Sequence, residues 1–537
     1  MDQQSQAARP AQAEPLPWRP VLLAVIVASL PFVFLAARFD WVCDDAFISF
    51  RYARNFASGL GLCYNPGESP PVEGYTNFLW VICMTLVERV GSDPAVWSRV
   101  LSLSSAIALF LMIGRHVQRT IDARLGLLLV TLLFCVTLPS VAVWATSGLA
   151  VMPMALCLFG VYDRLLGDAE RPHGVQAGLF AATAALLRAD APVYLAMILT
   201  LALGTAVLGR RKELWRALLL CGGLLALCVG AHFAWRYSYY GDWLPNTARV
   251  KALSGDAASR ALRQERGLYY VISYFMTVTS VILVPLLSLA LLRCPKTRRV
   301  PLHGLLFLAG SCAYATLAGG DFMAFGRFLV PAMPFLALVF AAVLKQTHAR
   351  FGLVLAGGMS AAAVALSLLP MFDVHLFPEA AFGRFHFRWN DQPEKRQSEF
   401  RRWTDMNRNA KLWVQYGLML PHVTDEGDSV VRGGIGAIGY YSGLHMYDTH
   451  GLTNQHWRVI NPPFKHKSPG HDREMEPQDF LQFDPTFLGD FRLVDEGSEP
   501  AASYYGAIAD PEIHALPTGF GFPPGKALYL LRVKKTH

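Results

Sequence analysis

The chain has 537 residues, of which 53% are hydrophobic and only 16% are charged. A soluble protein usually carries about 25% charged residues, so this composition excludes an ordinary soluble enzyme. The formal net charge of +8 would suit a nucleic-acid-binding protein, but the Lys and Arg residues occur mostly in short clusters between apolar runs. That distribution is typical of the cytoplasmic loops of membrane proteins and argues against nucleic acid as a partner.

Long apolar runs occupy the chain from Val21 to Leu369. Most are roughly 17 to 24 residues long, which is enough to cross a hydrocarbon core of about 30 Å. Backbone groups in lipid must be paired within their own segment, so we expect helices. The runs are 20–38, 75–90, 97–116, 124–143, 147–163, 174–187, 190–208, 214–235, 269–292, 301–318, 323–344 and 350–369.

Basic clusters lie in alternate gaps between these runs, and the positive-inside rule places those gaps in the cytoplasm. The N-terminus is then cytoplasmic only if segment 75–90, which has polar ends, does not cross. We therefore predict a polytopic α-helical membrane protein with about eleven spans within 20–371, after a disordered cytoplasmic tail at 1–19. A large outward loop follows the first span at 39–98, and a soluble domain outside the cytoplasm occupies 372–537. The first run has no clear cleavage site and is interpreted as an uncleaved anchor.

Two adjacent carboxylates, Asp44 and Asp45, stand near the start of the outward loop, before the amphipathic stretch FISFRYARNF. One interpretation is that they cap this helix, because acids are favourable at a helix N-terminus. The other is that one of them is a general base, since a carboxylate beside a second carboxylate and an apolar wall has a raised pKa. The two interpretations are compatible. Cys43 and Cys63 of the same loop either form a disulfide, if the loop faces an oxidising compartment, or remain free thiols.

The rest of the outward loop is rich in turns and in hydrogen-bonding side chains. It is either an ordinary ordered loop or the wall of a sugar site, because polyols are bound by amides, carboxylates and aromatic faces. The residues that would bind substrate there are Arg51, Tyr64, Asn65, Glu73, Tyr75 and Asn77.

Three later outward segments carry charged and polar residues near the membrane. Ionisable residues at such depth are costly, so they either bind substrate or form Arg–Asp pairs that lock helices together. In the loop 237–267, Lys251 or Arg249 could hold the phosphate of an anionic lipid, or the loop could simply be long enough to tolerate charge. The residues predicted to bind substrate are Arg188, Asp190, Asp242, Asn246, Lys251, Asp321 and Arg327.

The soluble region predicts a compact α/β or α+β fold. It has a helical stretch around Arg384–Tyr416 and short alternating runs at Asp428–Arg432 and Ala527–Val533. Four histidines lack the spacing of a simple metal site, so we expect them at the surface and predict no metal site. They are His450, His456, His466 and His471. A divalent cation on Asp44 and Asp45 is left open.

Several segments together resemble one family. They are DDAFISFRYARN, LCYNPGE, VEGYTNFLW, YYGDWLPNTARVKA, GGDFMAFGRFLVP and IGAIGYYSGLHMYDTHGLTN. In their order and spacing they resemble bacterial integral-membrane GT-C glycosyltransferases of the group that includes the terminal β-(1→2)-arabinofuranosyltransferases. Members of this group often read SGLET where this chain has Ala150, and R-P-[DE] where it has Ala189, so no role is assigned to an acid at position 150.

The resemblance implies a polyprenyl-phosphate sugar as donor, an acceptor outside the cytoplasm, and an Asp of the first loop as base. It also implies a bacterial plasma membrane location and a C-terminal domain that binds carbohydrate. We expect Asp44 to take the acceptor proton, Asp45 to orient or share it, and Lys251 or Arg327 to stabilise the departing phosphate, with inversion at the anomeric carbon. D-Arabinofuranose is the sugar that the resemblance suggests, and a glycan, lipopolysaccharide or protein is the acceptor. Two alternatives stay open, which are a transporter or flippase of a lipid-linked saccharide and a non-catalytic scaffold for envelope assembly.

Overall fold

The computed structural model describes residues 16–168, 171–251, 257–295, 297–389, 397–498, 505–516 and 522–534. Most of the predicted tail at 1–19, part of the loop 237–267 and a few residues of the C-terminal region lie outside these ranges.

The hydrophobic region is built of helices, as its composition predicts. They are α1 (Arg19–Arg38), α2 (Asp44–Ala57), α3 (Phe78–Arg89), α4 (Pro94–Thr120), α5 (Leu125–Thr137), α6 (Pro139–Ala145), α7 (Val151–Tyr162), α8 (Gly174–Leu187), α9 (Ala191–Leu208), α10 (Lys212–Tyr240), α11 (Asn246–Lys251), α12 (Ala257–Thr277), α13 (Ser280–Ser288), α14 (Arg299–Leu317) and α15 (Met333–Leu368). Large apolar side chains remain exposed along several of them, which is expected of surfaces that face lipid.

In the described residues, six helical segments are long and apolar enough to cross a membrane, or eight if each of two bent pairs is one span. Helices α5 and α6 bend by 65° just before Pro139, and α12 and α13 bend by 89°. The protein is therefore a multi-pass membrane protein, but these criteria give fewer spans than the eleven predicted. Helices α7 and α8 are shorter than a usual span, and the two runs predicted at 323–344 and 350–369 are helices that count as one element, α15, because they meet at a kink. That element is interrupted at Gly352, whose φ of 83° is open to glycine.

The C-terminal region contains a mixed sheet of five described strands in the order β2-β1-β3-β5-β4. Strands β1 and β2 are parallel, β1 and β3 are parallel, and the remaining pairs are antiparallel. The helices and strands of the region are α16 (Glu379–Gly383), α17 (Glu399–Met419), β1 (Ser429–Arg432), α18 (Gly436–Ser442), β2 (His445–Asp448), α19 (Trp457–Ile460), β3 (Phe487–Asp495), β4 (Ala509–Ala515) and β5 (Lys526–Val533). The predicted strands at 428–432 and 527–533 are confirmed as β1 and β5. The helix predicted from Arg384 begins only at Glu399.

Helix α2 lies between the hydrophobic helices and the C-terminal sheet region. It packs on α3 on one side and on α18 on the other. Almost every residue from Ala46 to Asn55 is therefore buried, including Phe47 and Phe50. This position brings the acids at the start of α2 into the interior, between the two halves of the molecule.

Candidate active site

Asp44 is held by the C-terminal region. Its Oδ1 accepts a hydrogen bond from the Ala437 N–H at 2.8 Å, and its Oδ2 accepts one from the Gly436 N–H at 3.0 Å. Asp44 therefore caps α18, a helix almost 400 residues away, and not the helix α2 that it begins. The approach is close because residue 436 is glycine, and a Cβ there would lie 1.9 Å from the Asp44 carbonyl oxygen. Burial raises the pKa of the Asp44 carboxyl to about 6, although the two N–H groups oppose this shift.

Asp45 has different surroundings. Among the residues that the structure describes, its carboxylate has no hydrogen bond or ion pair. It lines two cavities at once, together with Ile48, Lys251 and Leu452. The carboxylate is thus free to accept a proton at the place where the two cavities meet.

The first of these, which we name the cationic cavity, has a volume of about 350 Å³. It is lined by Arg188, Arg327 and Lys251, together with residues of the outward loop such as Tyr75. Arg188 is fixed by Asp190, with Nη2 to Oδ2 at 2.7 Å, and Arg327 Nε lies 2.8 Å from Asp321 Oδ2. The cations are thus oriented in a partly enclosed space, which is an arrangement suited to a phosphate.

The second, which we name the tryptophan cavity, has a volume of about 450 Å³. Residues from the hydrophobic region, the segment after α15 and the C-terminal sheet region meet around it. Aromatic rings and polar groups together suit a sugar, because a sugar has apolar faces and hydroxyl edges. Apart from Asp44 and Asp45, its lining includes Trp41, Phe322, Trp389, Arg402, Trp413, Asp448, His450, Lys467, His471 and Glu474.

The fold matches that of a solved protein. The chain aligns with ArnT from Cupriavidus metallidurans bound to undecaprenyl phosphate with a TM-score of 0.55, at 14% identity over 95% of this chain and 97% of the other. The apo state of the same protein gives 0.54, at 12% identity over the same shares of the two chains. This chain has the ArnT fold.

Sequence comparison identifies two distant homologues. The terminal β-(1→2)-arabinofuranosyltransferase of Mycobacterium tuberculosis is 28% identical over 46% of this chain and 40% of its own length. The enzyme of the same name from Corynebacterium glutamicum is 27% identical over 40% of this chain and 33% of its own length. The alignments thus span less than half of either relative. Residues 398–506 match the model of a domain of unknown function, DUF8728.

Within this ArnT fold, three predicted substrate residues join the outward loop to the C-terminal region. Arg51 donates to the carbonyls of Gly439 at 2.7 Å and Leu444 at 2.8 Å, and Tyr64 donates to that of Ile435 at 2.8 Å. Asn65 donates to the Met446 carbonyl at 3.0 Å and accepts from its N–H at 3.1 Å. These side chains line neither the cationic nor the tryptophan cavity, and their contacts are those of an interface.

Glu73, Asp242 and Asn246 also make contacts within the protein. Glu73 Oε2 lies 2.7 Å from Arg236 Nε, and burial raises the pKa of this carboxyl to about 7. Asp242 accepts from Arg249 Nε at 2.8 Å, so Arg249 is paired.

Asn246 ties α11 to the loop after β2. Its amide donates to three carbonyls of that loop, and its Oδ1 accepts from Trp457 Nε1 at 3.0 Å.

Tyr75 and Asn77 do line the cationic cavity, as do Arg188, Asp190, Lys251 and Arg327. Asn77 is held by Ser49, to whose Oγ it donates at 3.0 Å, and the Tyr75 hydroxyl lies 3.1 Å from that of Tyr240. The structure thus brings residues of three predicted outward segments together around Asp45. Asp321 does not line the cavity itself, but it forms an ion pair with Arg327, which does.

The structure decides between the two alternatives left open for the cysteines, and it corrects the expectation for the histidines. Cys43 and Cys63 are free thiols, because the Cys43 side chain is buried under the start of α2 while Cys63 Sγ donates to the Leu60 carbonyl. The four histidines are half-buried and not at the surface. His450 and His471 stand 4.8 Å apart, ring to ring, in the tryptophan cavity, and burial lowers the pKa of His471 well below its usual range.

Sequence reasoning missed most of the tryptophan cavity. Trp41, Trp389 and Trp413 are far apart in the chain and follow no common spacing. The density of aromatic and basic residues around 384–416 is a signal that could have pointed to a functional surface there. In the described residues, no group of three or more His, Cys, Asp or Glu side chains is arranged to hold a metal ion.

Proposed function

We propose that this protein is an inverting glycosyltransferase that moves a sugar from a polyprenyl phosphate to an acceptor outside the cytoplasm. The observation that carries the proposal is the position of Asp45. Its carboxylate, which has no hydrogen bond or ion pair in the described part of the chain, lies where a cationic cavity meets an aromatic, polar one. An enzyme that joins a phosphate-linked donor to a hydroxyl acceptor needs a base at such a junction.

The cationic cavity is the proposed donor site. The solved structure of ArnT with undecaprenyl phosphate supports a lipid phosphate as ligand for this fold. Arg188, Arg327 and Lys251 would neutralise the phosphate, and the lipid tail would leave towards the bilayer. Preorganised cations of this kind stabilise a leaving group most when its negative charge develops.

The reaction is a single displacement. The acceptor oxygen forms a bond to the anomeric carbon on the face opposite the phosphate, and the bond from that carbon to the phosphate oxygen breaks. The acceptor proton passes to the Asp45 carboxylate, and polyprenyl phosphate leaves with the bonding electron pair. One displacement inverts the anomeric centre.

Asp45, and not Asp44, is the proposed base. Both Asp44 oxygens already accept hydrogen bonds from α18, so Asp44 positions the C-terminal region against the site. This exchanges the roles first expected of the pair. A divalent cation bound there would have mainly the oxygens of Asp45 available to it, so we propose a reaction without a metal.

The topology follows from the same proposal. Eleven crossings result if α7 with its continuation to Gly167, α8, and both halves of α15 on either side of Gly352 cross the bilayer. We place the protein in the bacterial plasma membrane, with 20–371 as the catalytic membrane domain. Residues 39–98 and the domain 372–537 then lie on the periplasmic or extracytoplasmic side.

The sugar is proposed to be D-arabinofuranose, since both curated relatives are arabinofuranosyltransferases. The acceptor is a glycan, a lipopolysaccharide or a glycoprotein of the cell envelope. A flippase of a lipid-linked saccharide would need the cationic cavity, but it would have no use for a base at the junction with a second cavity. A scaffold would need neither.

The decisive assay uses purified protein in liposomes, a radiolabelled polyprenyl-phosphate sugar, and an envelope extract as acceptor. If the protein transfers the sugar, the label should move to a lipid-free or larger product and polyprenyl phosphate should be released. The anomeric configuration of the product should be opposite to that of the donor. Label that crosses the bilayer while still lipid-linked would identify a flippase, and unchanged donor would leave only the scaffold.

A further inference from the structure

A third cavity, with a volume of about 540 Å³, adjoins the tryptophan cavity on the side away from the hydrophobic helices. The two share Gly433, Lys467 and Glu474 in their linings. Together with the cationic cavity they form a series that begins at the membrane and ends in the C-terminal sheet region.

The third cavity lies at the carboxyl ends of parallel strands. Arg432 ends β1 and Gly433 follows it, and Thr449 follows directly after β2. Ligands of open sheets with parallel strands bind at this edge, because the loops that leave the strands diverge there.

Two buried polar atoms at this edge lack partners within the described residues. They are the Thr449 hydroxyl, on a residue that is only 4% exposed, and Nδ1 of His450. Thr449 lines the third cavity and His450 lines the tryptophan cavity. Buried polar groups are normally paired, and these two side chains stand where a ligand that passes from one cavity to the other would supply the missing partners.

Because residue 433 is glycine, the side chains of Thr449 and His450 have room at the junction of the two cavities. A Cβ at position 433 would lie 2.7 Å from His450 Nε2 and 3.1 Å from Thr449 Oγ1. A larger residue would therefore push both side chains out of place and change the passage between the cavities.

The charges of the third cavity are nearly balanced. Lys465 pairs with Glu476 at 2.5 Å, and Lys467 pairs with Glu474 at 2.8 Å. Such a surface offers many hydrogen-bonding groups but little net charge, in contrast to the cationic cavity. It suits a neutral molecule with many hydroxyl groups.

We infer that the third cavity is a subsite for the inner sugars of a glycan acceptor. The terminal sugar occupies the tryptophan cavity with its hydroxyl at Asp45, and the preceding sugars extend past Gly433 along Thr449. The inference deepens the proposed function, on which it rests, because it makes the acceptor a chain of two or more sugars that enters from the C-terminal region.

The test compares acceptor lengths. Glycans released from the envelope of a strain that lacks the protein are separated into fractions of one sugar and of four or more sugars. Thr449→Val keeps the shape of the side chain but removes its hydroxyl. Thr453→Val is the matched control, because Thr453 is also buried, its hydroxyl also lacks a partner among the residues that the structure describes, and it lines none of the three cavities.

Wild-type protein is expected to have the lower KM for the long fraction. Thr449→Val should raise that KM about fivefold, the equivalent of one hydrogen bond, and leave the KM of the one-sugar fraction unchanged. Thr453→Val should change neither the KM for the long fraction nor the KM for the one-sugar fraction. Gly433→Val should abolish the preference for the long fraction while binding of polyprenyl phosphate is retained.

Equal KM values for both fractions in wild type, equal effects of the two Thr variants, or transfer to lipid or protein fractions alone would each overturn the subsite. Failure of the proposed function is recognised separately, since the donor would then not be turned over with the unfractionated extract.

Discussion

Asp44 and Asp45 are consecutive residues with different surroundings. Asp44 points its carboxylate at the first N–H groups of α18, whereas Asp45 faces the junction of two cavities. Their roles follow from these environments, since both Asp44 oxygens are engaged by α18, whereas the Asp45 carboxylate has no hydrogen bond or ion pair within the described residues and faces the cavities. The sequence predicts that the pair is important, but the contact that separates their roles comes from residues 436 and 437.

Lys251 provides a test of the donor site at the scale of one residue. Its side chain is exposed and lines both cavities that meet at Asp45. Lys251→Ala should lower kcat/KM for the donor at least tenfold, or about 1.4 kcal/mol, because one positive charge near the phosphate is lost. Steady-state kinetics with varied donor concentration measures this. Lys411→Ala, an exposed lysine on α17 that lines none of the three cavities, is the control, and equal activities of the two variants would contradict the donor assignment.

The buried carboxyl of Asp44 should make the stability of the folded protein depend on pH. Burial raises the pKa of its carboxyl from 3.8 to about 6, so in this window the folded protein keeps a proton that the unfolded chain has released. The carboxyl therefore makes the folded state less stable as the pH rises from about 4 to about 6. The melting temperature of wild type in detergent should fall relative to that of Asp44→Asn across this range. A constant difference between the two proteins would show that the carboxyl does not titrate in this way.

At the scale of elements, α2 connects the membrane helices to the C-terminal region. Arg51 is the centre of this connection, because the residue is only 3% exposed and its guanidinium donates to carbonyls on both sides of the interface. Amphipathicity predicts the helix itself. It does not predict that the polar face is covered by α18, since α18 is hundreds of residues away.

Removal of the Arg51 side chain should therefore separate these elements. Arg51→Ala leaves several buried carbonyls without donors and is expected to cost about 3 kcal/mol or more. Thermal unfolding and limited proteolysis near residues 436–446 measure the loss. Arg54→Ala is the comparison, because Arg54 is less buried and donates to the Tyr440 carbonyl alone in this interface. A larger effect of the Arg54 change would contradict the central position of Arg51.

At the scale of the whole molecule, hydropathy predicts the helical hydrophobic region, and alternating patterns predict β1 and β5 correctly. The number of crossings is harder to predict, because a run of apolar residues does not reveal a bend such as that before Pro139 or a break such as that at Gly352. The cationic cavity is partly predictable, since charges at membrane depth are rare and costly. The tryptophan cavity is not, because it is assembled from single residues of distant segments.

The topology can be tested with a membrane-impermeant maleimide. Leu60→Cys, at an exposed position of the outward loop, should be labelled in cells whose outer barrier is permeabilised. Arg211→Cys, between α9 and α10, should react only after lysis. Both variants carry Cys294→Ser, because Cys294 is an exposed native thiol. Labelling of residue 60 only after lysis would place the acids on the cytoplasmic side and remove the basis for a lipid-linked donor.

The most direct measurement compares transfer by Asp45→Asn and Asp44→Asn proteins with transfer by wild type, at equal donor binding and equal folding. We predict that Asp45→Asn lowers kcat by about 10² or more, the usual contribution of a general base, while Asp44→Asn lowers it about tenfold or less. An Asp45→Asn protein that retains full transfer, or an Asp44→Asn protein that alone loses it, would contradict the assignment of the base.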